Sequence, residues 1–143
     1  MFLGTYEPRL DDKGRLILPA KFRSQLASGL VVRRGQEHCL YVFPLNTFTE
    51  ILAKLQQAPF TSKEVRAYGR VFLSGASDQI PDKQGRINLP VNLREYAGLE
   101  KDLAVIGSGE RVEIWDQQAW EAYLEGNEAE FADREEELIP GVF

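Results

Sequence analysis

The apolar positions of this chain fall into short clusters separated by turn residues, and the series of clusters occurs twice. Leu16-Ile17-Leu18 reads as a short strand whose end is held extended by Pro19. Pro19 suits the first position of a helix, where its missing N–H costs nothing. Phe22 and Leu26, four apart, give that helix one buried face. Leu30-Val31-Val32 and Leu40-Tyr41-Val42-Phe43 then predict a hairpin with Gly35 in its loop. Phe48, Ile51, Leu52 and Leu55 follow the i, i+3, i+4, i+7 spacing of an amphipathic helix. Another helix is expected from Thr61, which forms a capping-box pattern with Glu64 and places Val65, Tyr68 and Phe72 on an apolar side. Leu103-Ala104-Val105-Ile106 and Val112-Glu113-Ile114-Trp115 predict a second hairpin, followed by a helix bearing Trp120, Tyr123 and Leu124.

The doubling is explicit in the residues. Asp11-Asp12-Lys13-Gly14-Arg15-Leu16-Ile17-Leu18-Pro19-Ala20-Lys21-Phe22-Arg23 returns 71 positions later as Asp82-Lys83-Gln84-Gly85-Arg86-Ile87-Asn88-Leu89-Pro90-Val91-Asn92-Leu93-Arg94. Both read D-x-x-G-R-[LI]-x-L-P-x-x-[FL]-R. Upstream, Phe2-Leu3 and Gly4 align with Phe72-Leu73 and Gly75. Downstream, after a one-residue shift, Leu40–Phe43 aligns with Val112–Trp115, and Phe48, Ile51, Leu52 with Trp120, Tyr123, Leu124. An internal repeat of this length organises the whole fold. It divides the chain into a first motif with its helix (1–57), a linking helix (58–70), a second motif with its helix (71–125) and an acidic tail (126–143). The short connection around Ala58-Pro59-Phe60 implies that the two motifs pack together. The tail has little periodicity and much acid, so it is expected to be mobile or loosely docked.

Asp at the first position of a turn and Gly at the fourth fit a type I turn closing into a G1 bulge, which makes Asp11–Gly14 and Asp82–Gly85 expected hairpin tips. Asp11 and Arg15, like Asp82 and Arg86, then face each other across a tip. Two readings stand: a cross-strand ion pair that fixes the tip, or an Asp that orients an Arg presented to phosphate or guanine. Arg9, Lys13, Arg15, Lys21 and Arg23 surround the first tip, opposed by Asp11 and Asp12, with Arg33 and Arg34 expected nearby. The second copy has Gln84 for Lys13 and Asn92 for Lys21, so the first is expected to be the stronger phosphate binder. Lys63, Arg66 and Arg70 share one helix face and read as solvated surface.

Of the 143 residues, 43% are hydrophobic and 27% charged, an ordinary globular composition. The net charge of −5 conceals a division: Asp116–Phe143 carries −8 and the remainder +3, so the local sign matters more than the total. No apolar run approaches the roughly 20 residues of a membrane span, and the start lacks the pattern of a signal peptide. Cys39 is the only cysteine, which fits a reduced, cytoplasmic setting. His38 and Cys39 have no partners for a metal site, and no P-loop, Rossmann, H-E-x-x-H or G-x-S-x-G pattern occurs. No cofactor is expected. Trp115, Trp120 and Tyr123 have the spacing of core residues.

Met1-Phe2-Leu3-Gly4, Asp11–Arg15, Leu18–Arg23, Asp82–Arg94 and Glu113-Ile114-Trp115 together resemble the MraZ family, from the first residue to about Leu124. That resemblance implies an α+β fold of two tandem AbrB-like swapped-hairpin β-barrel motifs with flanking helices. It implies a ring-shaped homo-oligomer that binds double-stranded DNA at short tandem repeats. In the family these repeats lie in the promoter of the division and cell-wall gene cluster, which includes the regulator's own gene. By resemblance Asp11 and Arg15 belong to the DNA-binding motif, and Arg86 to its weaker second copy. Lys13, Lys21, Arg23 and Arg9 are its candidate auxiliary contacts. A cytoplasmic, nucleoid-associated, non-enzymatic regulator is expected. An antitoxin-like interaction module using the acidic tail is the alternative, and an enzyme is a third reading that no motif supports.

Overall fold

The computed structural model describes residues 1–143. Eight strands form two sheets. The larger is antiparallel and six-stranded, built from β1 (Phe2–Tyr6), β3 (Leu30–Arg34), β4 (Leu40–Pro44), β5 (Ser77–Gln79), β7 (Leu103–Gly109) and β8 (Arg111–Asp116) in the order β1-β7-β8-β4-β3-β5. The smaller is a two-stranded ribbon of β2 (Arg15–Ile17) and β6 (Arg86–Asn88). Helices α1 (Ala20–Leu26), α2 (Leu45–Gln56), α3 (Lys63–Ser74), α4 (Val91–Tyr96) and α5 (Gln117–Asp133) complete a mixed α+β fold.

The strand order reads the same from either end when the two copies are exchanged. Strand β1 of the first copy pairs with β7 of the second, and β5 of the second pairs with β3 of the first. On the ribbon, Leu16 pairs directly with Ile87, its equivalent 71 positions on. In the large sheet Tyr41 pairs with Glu113, again an equivalent pair. A pseudo-twofold axis therefore runs between Leu16 and Ile87 and on between β4 and β8.

Both faces of the large sheet are covered, which explains why Leu30–Val32 in β3 and Leu40–Phe43 in β4 are continuous apolar runs with no alternation. On one face Phe2, Leu30, Val32, Leu40, Val42, Val105, Val112 and Ile114 meet Leu16, Leu18, Ile87 and Leu89 of the ribbon and its extensions, with Phe22, Leu26 and Leu93 from α1 and α4. On the other, Val31, Tyr41, Phe43, Ala104 and Trp115 pack with Phe48 of α2 and Phe72 of α3. Trp115, Trp120 and Tyr123 do cluster, ring centroids 4.9–6.1 Å apart, although Tyr123 stays partly exposed.

Several expectations change. The turns at Asp11 and Asp82 close as expected, with Gly14 N–H donating to Asp11 O and Gly85 N–H to Asp82 O, but no long hairpin follows: Leu10 N–H donates to Lys101 O, and β2 pairs with β6. Phe72-Leu73 is helical although its aligned partner Phe2-Leu3 is a strand; the run 63–74 satisfies helix periodicity, and Phe72 is buried in that helix. That helix is capped by Ser62, whose Oγ accepts from Val65 N–H at 3.3 Å, and not by Thr61. Tyr68 on its expected apolar side is exposed. Pro19 is the residue before α1, not its first. The acidic segment is helical to Asp133, since no proline interrupts Gln117–Asp133 and Asp116 caps the helix through Ala119 N–H.

Candidate nucleic-acid interface

Each turn is built around one carboxylate. Oδ1 of Asp11 accepts the backbone N–H of Lys13 at 2.9 Å and of Arg15 at 2.8 Å, and Oδ2 accepts Arg15 Nε at 2.9 Å. Asp82 repeats this with Gln84 and Arg86 N–H, both at 2.9 Å, and Arg86 Nε at 2.7 Å. Glycine closes each turn, Gly14 at φ +76° and Gly85 at φ +78°, where a side chain would be strained. The backbone N–H of Arg15, then its side chain and Lys13, hold the Asp11 carboxyl below its ordinary pKa of 3.8. Arg86 N–H and side chain, then Gln84, do the same for Asp82.

The turn is compatible with both readings of the Asp–Arg pair. The ion pair exists, and it fixes the arginine by Nε alone. Neither Nη of Arg15 or Arg86 has a partner within the chain. Strand alternation sends Leu16 and Ile87 inward and leaves Arg15, Ile17, Arg86 and Asn88 on the outer face. Arg15 lies opposite Asn88, and Ile17 opposite Arg86. Diagonal partners in such a ribbon are about 7–8 Å apart, so the two guanidinium stems rise side by side across the pseudo-twofold axis. Their side chains are 25% and 29% exposed.

The ribbon is locked reciprocally. Leu18 N–H donates to Gly85 O, and Leu89 N–H to Gly14 O, both at 2.8 Å. Arg23 Nε donates to Leu18 O and Arg94 Nε to Leu89 O, both at 2.9 Å. Each of these arginines lies over the other copy's turn glycine: a Cβ at Gly85 would come 2.6 Å from Arg23 Nε, and one at Gly14 2.9 Å from Arg94 Cζ. Arg23 therefore braces the site, with only its outer nitrogens free.

The other expected residues divide. Lys13 and Lys21 are exposed beside the ribbon, on the turn and on α1. Arg9 is exposed but bound to Asp102 at 3.1 Å. Arg33 does not contribute to this surface at all. It is 8% exposed beneath α3, its guanidinium 4.1 Å from the Phe72 ring centre and flanked by Tyr41 and Phe43, and burial pulls its pKa down. Arg34 donates to Val71 O at 2.9 Å. Sequence reasoning placed both near the turn because they are near in number, but β3 lies between β4 and β5 and both arginines engage α3. It missed Lys83, which stands where the first copy has Asp12 and makes the second turn the less acidic of the two. It also missed Ile17 and Asn88, which the in-out alternation around Leu16 and Ile87 could have revealed.

Fold and site together define a tandem-repeat protein whose two copies close about a pseudo-twofold axis and carry a pair of oriented arginines on it. The family profile described as "MraZ protein, putative antitoxin-like" matches residues 1–71 and again 72–140. The chain is 64% identical to a protein of Kocuria rhizophila and 64% identical to one of Leifsonia xyli subsp. xyli, each over the full length of both chains. It is 63% identical to one of Kineococcus radiotolerans over 99% of each. All three are named "Transcriptional regulator MraZ". The chain belongs to the MraZ family.

Proposed function

We propose that this protein is a sequence-specific transcriptional regulator that binds double-stranded DNA through the outer face of the β2–β6 ribbon. The observation that carries the reading is the pair Arg15 and Arg86, each fixed at Nε by an aspartate with both Nη groups free. A guanidinium so held is pre-organised to donate to guanine O6 and N7, and a two-stranded ribbon fits a major groove about 12 Å wide. Lys13, Lys21, Lys83 and the free nitrogens of Arg23 would contact phosphate, with Arg9 at the margin; such contacts position the protein without reading sequence. The relatives' shared name supports a regulatory and non-catalytic role.

The exchange of β1 and β5 between the copies supports an AbrB-like swapped-hairpin architecture for each motif. We further propose assembly into a ring-shaped homo-oligomer: β1 is an open sheet edge, and Leu3 on it and Met1 just before it are exposed. Such a ring would present several ribbons to short tandem repeats in the promoter of the division and cell-wall gene cluster, its own gene included, on the nucleoid. No helix is long and apolar enough to cross a membrane.

A salt-titrated binding assay on the chain's own upstream region tests the reading. Phosphate contacts make log K fall linearly with log salt, by about 0.9 per phosphate. Binding that ignores salt and sequence would refute it. The family description and the exposed Phe131, Leu138, Ile139 and Phe143 of the acidic tail favour, as second reading, an antitoxin-like interaction module. That reading requires a protein ligand whose binding is lost when the tail is removed.

A further inference from the structure

We propose that Ile17 and Asn88 give the ribbon a direction, so that it reads a non-palindromic base sequence; this rests on the DNA-binding reading above. The pseudo-twofold axis carries Arg15 onto Arg86, and each donates the same two hydrogen bonds to its aspartate, from the backbone N–H and from Nε. A ribbon with only these two side chains would read a site that looks alike from both strands. The same axis carries Ile17 onto Asn88. These two complete the outer face, beside Arg86 and Arg15 respectively, and their chemistries are opposite.

Ile17 is 49% exposed on a ribbon face whose other side chains are Arg15, Arg86 and Asn88, and it makes no contribution to the core that Leu16 fills. An exposed branched aliphatic chain between two guanidinium groups suits the C5-methyl of thymine. Asn88 has its carboxamide free, because its only hydrogen bonds are through the backbone: Gln79 Nε2 donates to Asn88 O at 2.8 Å, and Asn88 N–H donates to Gln79 Oε1 at 2.7 Å. A free carboxamide on a fixed strand suits adenine N6 and N7. The clamp itself breaks the symmetry, since the position of Gln79 is taken in the first copy by Pro8, which has no amide to offer. Lys13 and Lys21 against Gln84 and Asn92 also differ between copies, but lysines on phosphate do not choose bases. The strand positions that carry the two arginines are about 7–8 Å apart on a diagonal, on the order of two base-pair steps of 3.4 Å. The distinguishing positions therefore lie beside the two guanines, one on each side of the axis.

A site of this kind has an orientation. Arranged as direct repeats it would place every ribbon the same way round, as a head-to-tail assembly requires.

The test uses the full-length protein and three short duplexes derived from its selected site: the site itself, and the two palindromes made by doubling its left or its right half. Wild type should prefer the natural site to both palindromes. Ile17→Asn, which places a carboxamide on both sides, should prefer the palindrome of the Asn88 half, by roughly 5- to 160-fold for one gained bidentate pair. Asn88→Ile should prefer the other palindrome. On wild type, uracil in place of thymine in the Ile17 half should weaken binding about fourfold, the worth of one buried methyl, and this arm needs no variant to fold. An unchanged order of the three duplexes across wild type and both folded variants would overturn the inference. Failure of wild type to bind any of them in a salt-dependent way would instead overturn the DNA reading beneath it.

Discussion

Replacing Arg15 and Arg86 one at a time tests the ribbon most directly. The sequence favours unequal effects, because Lys13 and Lys21 have neutral counterparts in the second copy. The structure favours comparable ones. Both arginines have Nε held by a carboxylate, at 2.9 and 2.7 Å, and their side chains are almost equally exposed at 25% and 29%. Lys83 in place of Asp12 further offsets the loss of Lys13. A bidentate arginine–guanine contact is worth about 1–3 kcal/mol. Arg15→Ala and Arg86→Ala should therefore each lower affinity by roughly 5- to 160-fold on a duplex holding one site. On a fragment with several repeats the loss should be larger, since it recurs in each ribbon engaged and effective concentration multiplies it. Gel-shift titrations on one-site and multi-site duplexes, with circular dichroism and sizing as controls for fold and assembly, provide the readings. No loss for Arg15→Ala would reduce that residue to a fastener of its turn. A loss confined to Arg15→Ala would restore the unequal model and place the contact outside the symmetric ribbon.

Other consequences concern the scaffold. Leu16→Ala and Ile87→Ala remove direct partners on the pseudo-twofold axis, both about 1% exposed, and each should cost about 2–5 kcal/mol in urea unfolding; a cost below 1 kcal/mol for either would show that the ribbon is not held by that contact. Asp11 and Asp82 have folded-state pKa values lowered from 3.8, so the turns contribute stability above the ordinary carboxylate range and lose it as pH falls through the lower values. Carbon-detected NMR titration should find both carboxyls below 3.8, and a value at or above it would contradict the hydrogen bonding described. Cys39 is buried with its thiol pushed up to about 12, first by burial and then by Glu113. It should resist a thiol reagent at pH 8 in the native protein and react fully in denaturant; rapid native labelling would argue that β4 opens.

The local elements and the duplication are legible in the residues alone. Asp11 and Gly14, with Asp82 and Gly85, dictate their turns because an Asx carboxylate and a positive φ are short-range requirements. Pro19 and Pro90 set where α1 and α4 begin, and the continuous runs Leu30–Val32 and Leu40–Phe43 announce strands covered on both faces. The Asp–Arg pairing was equally legible, being four residues apart. Which copy each element joins is set by packing at a distance. The register of β2 against β6, and the passage of β1 to β7 and β5 to β3, depend on which arrangement buries Leu16, Ile87, Phe2 and Phe22 together. No local pattern encodes a choice between two nearly identical partners. The same cause removed Arg33 from the charged surface, because Phe72, Tyr41 and Phe43 enclose it only after α3 has folded over the sheet. It also turned Phe72-Leu73 into helix where alignment suggested strand. The facing arginines of the two copies, 71 residues apart in sequence, become one surface because two apolar residues, Leu16 and Ile87, meet beneath them.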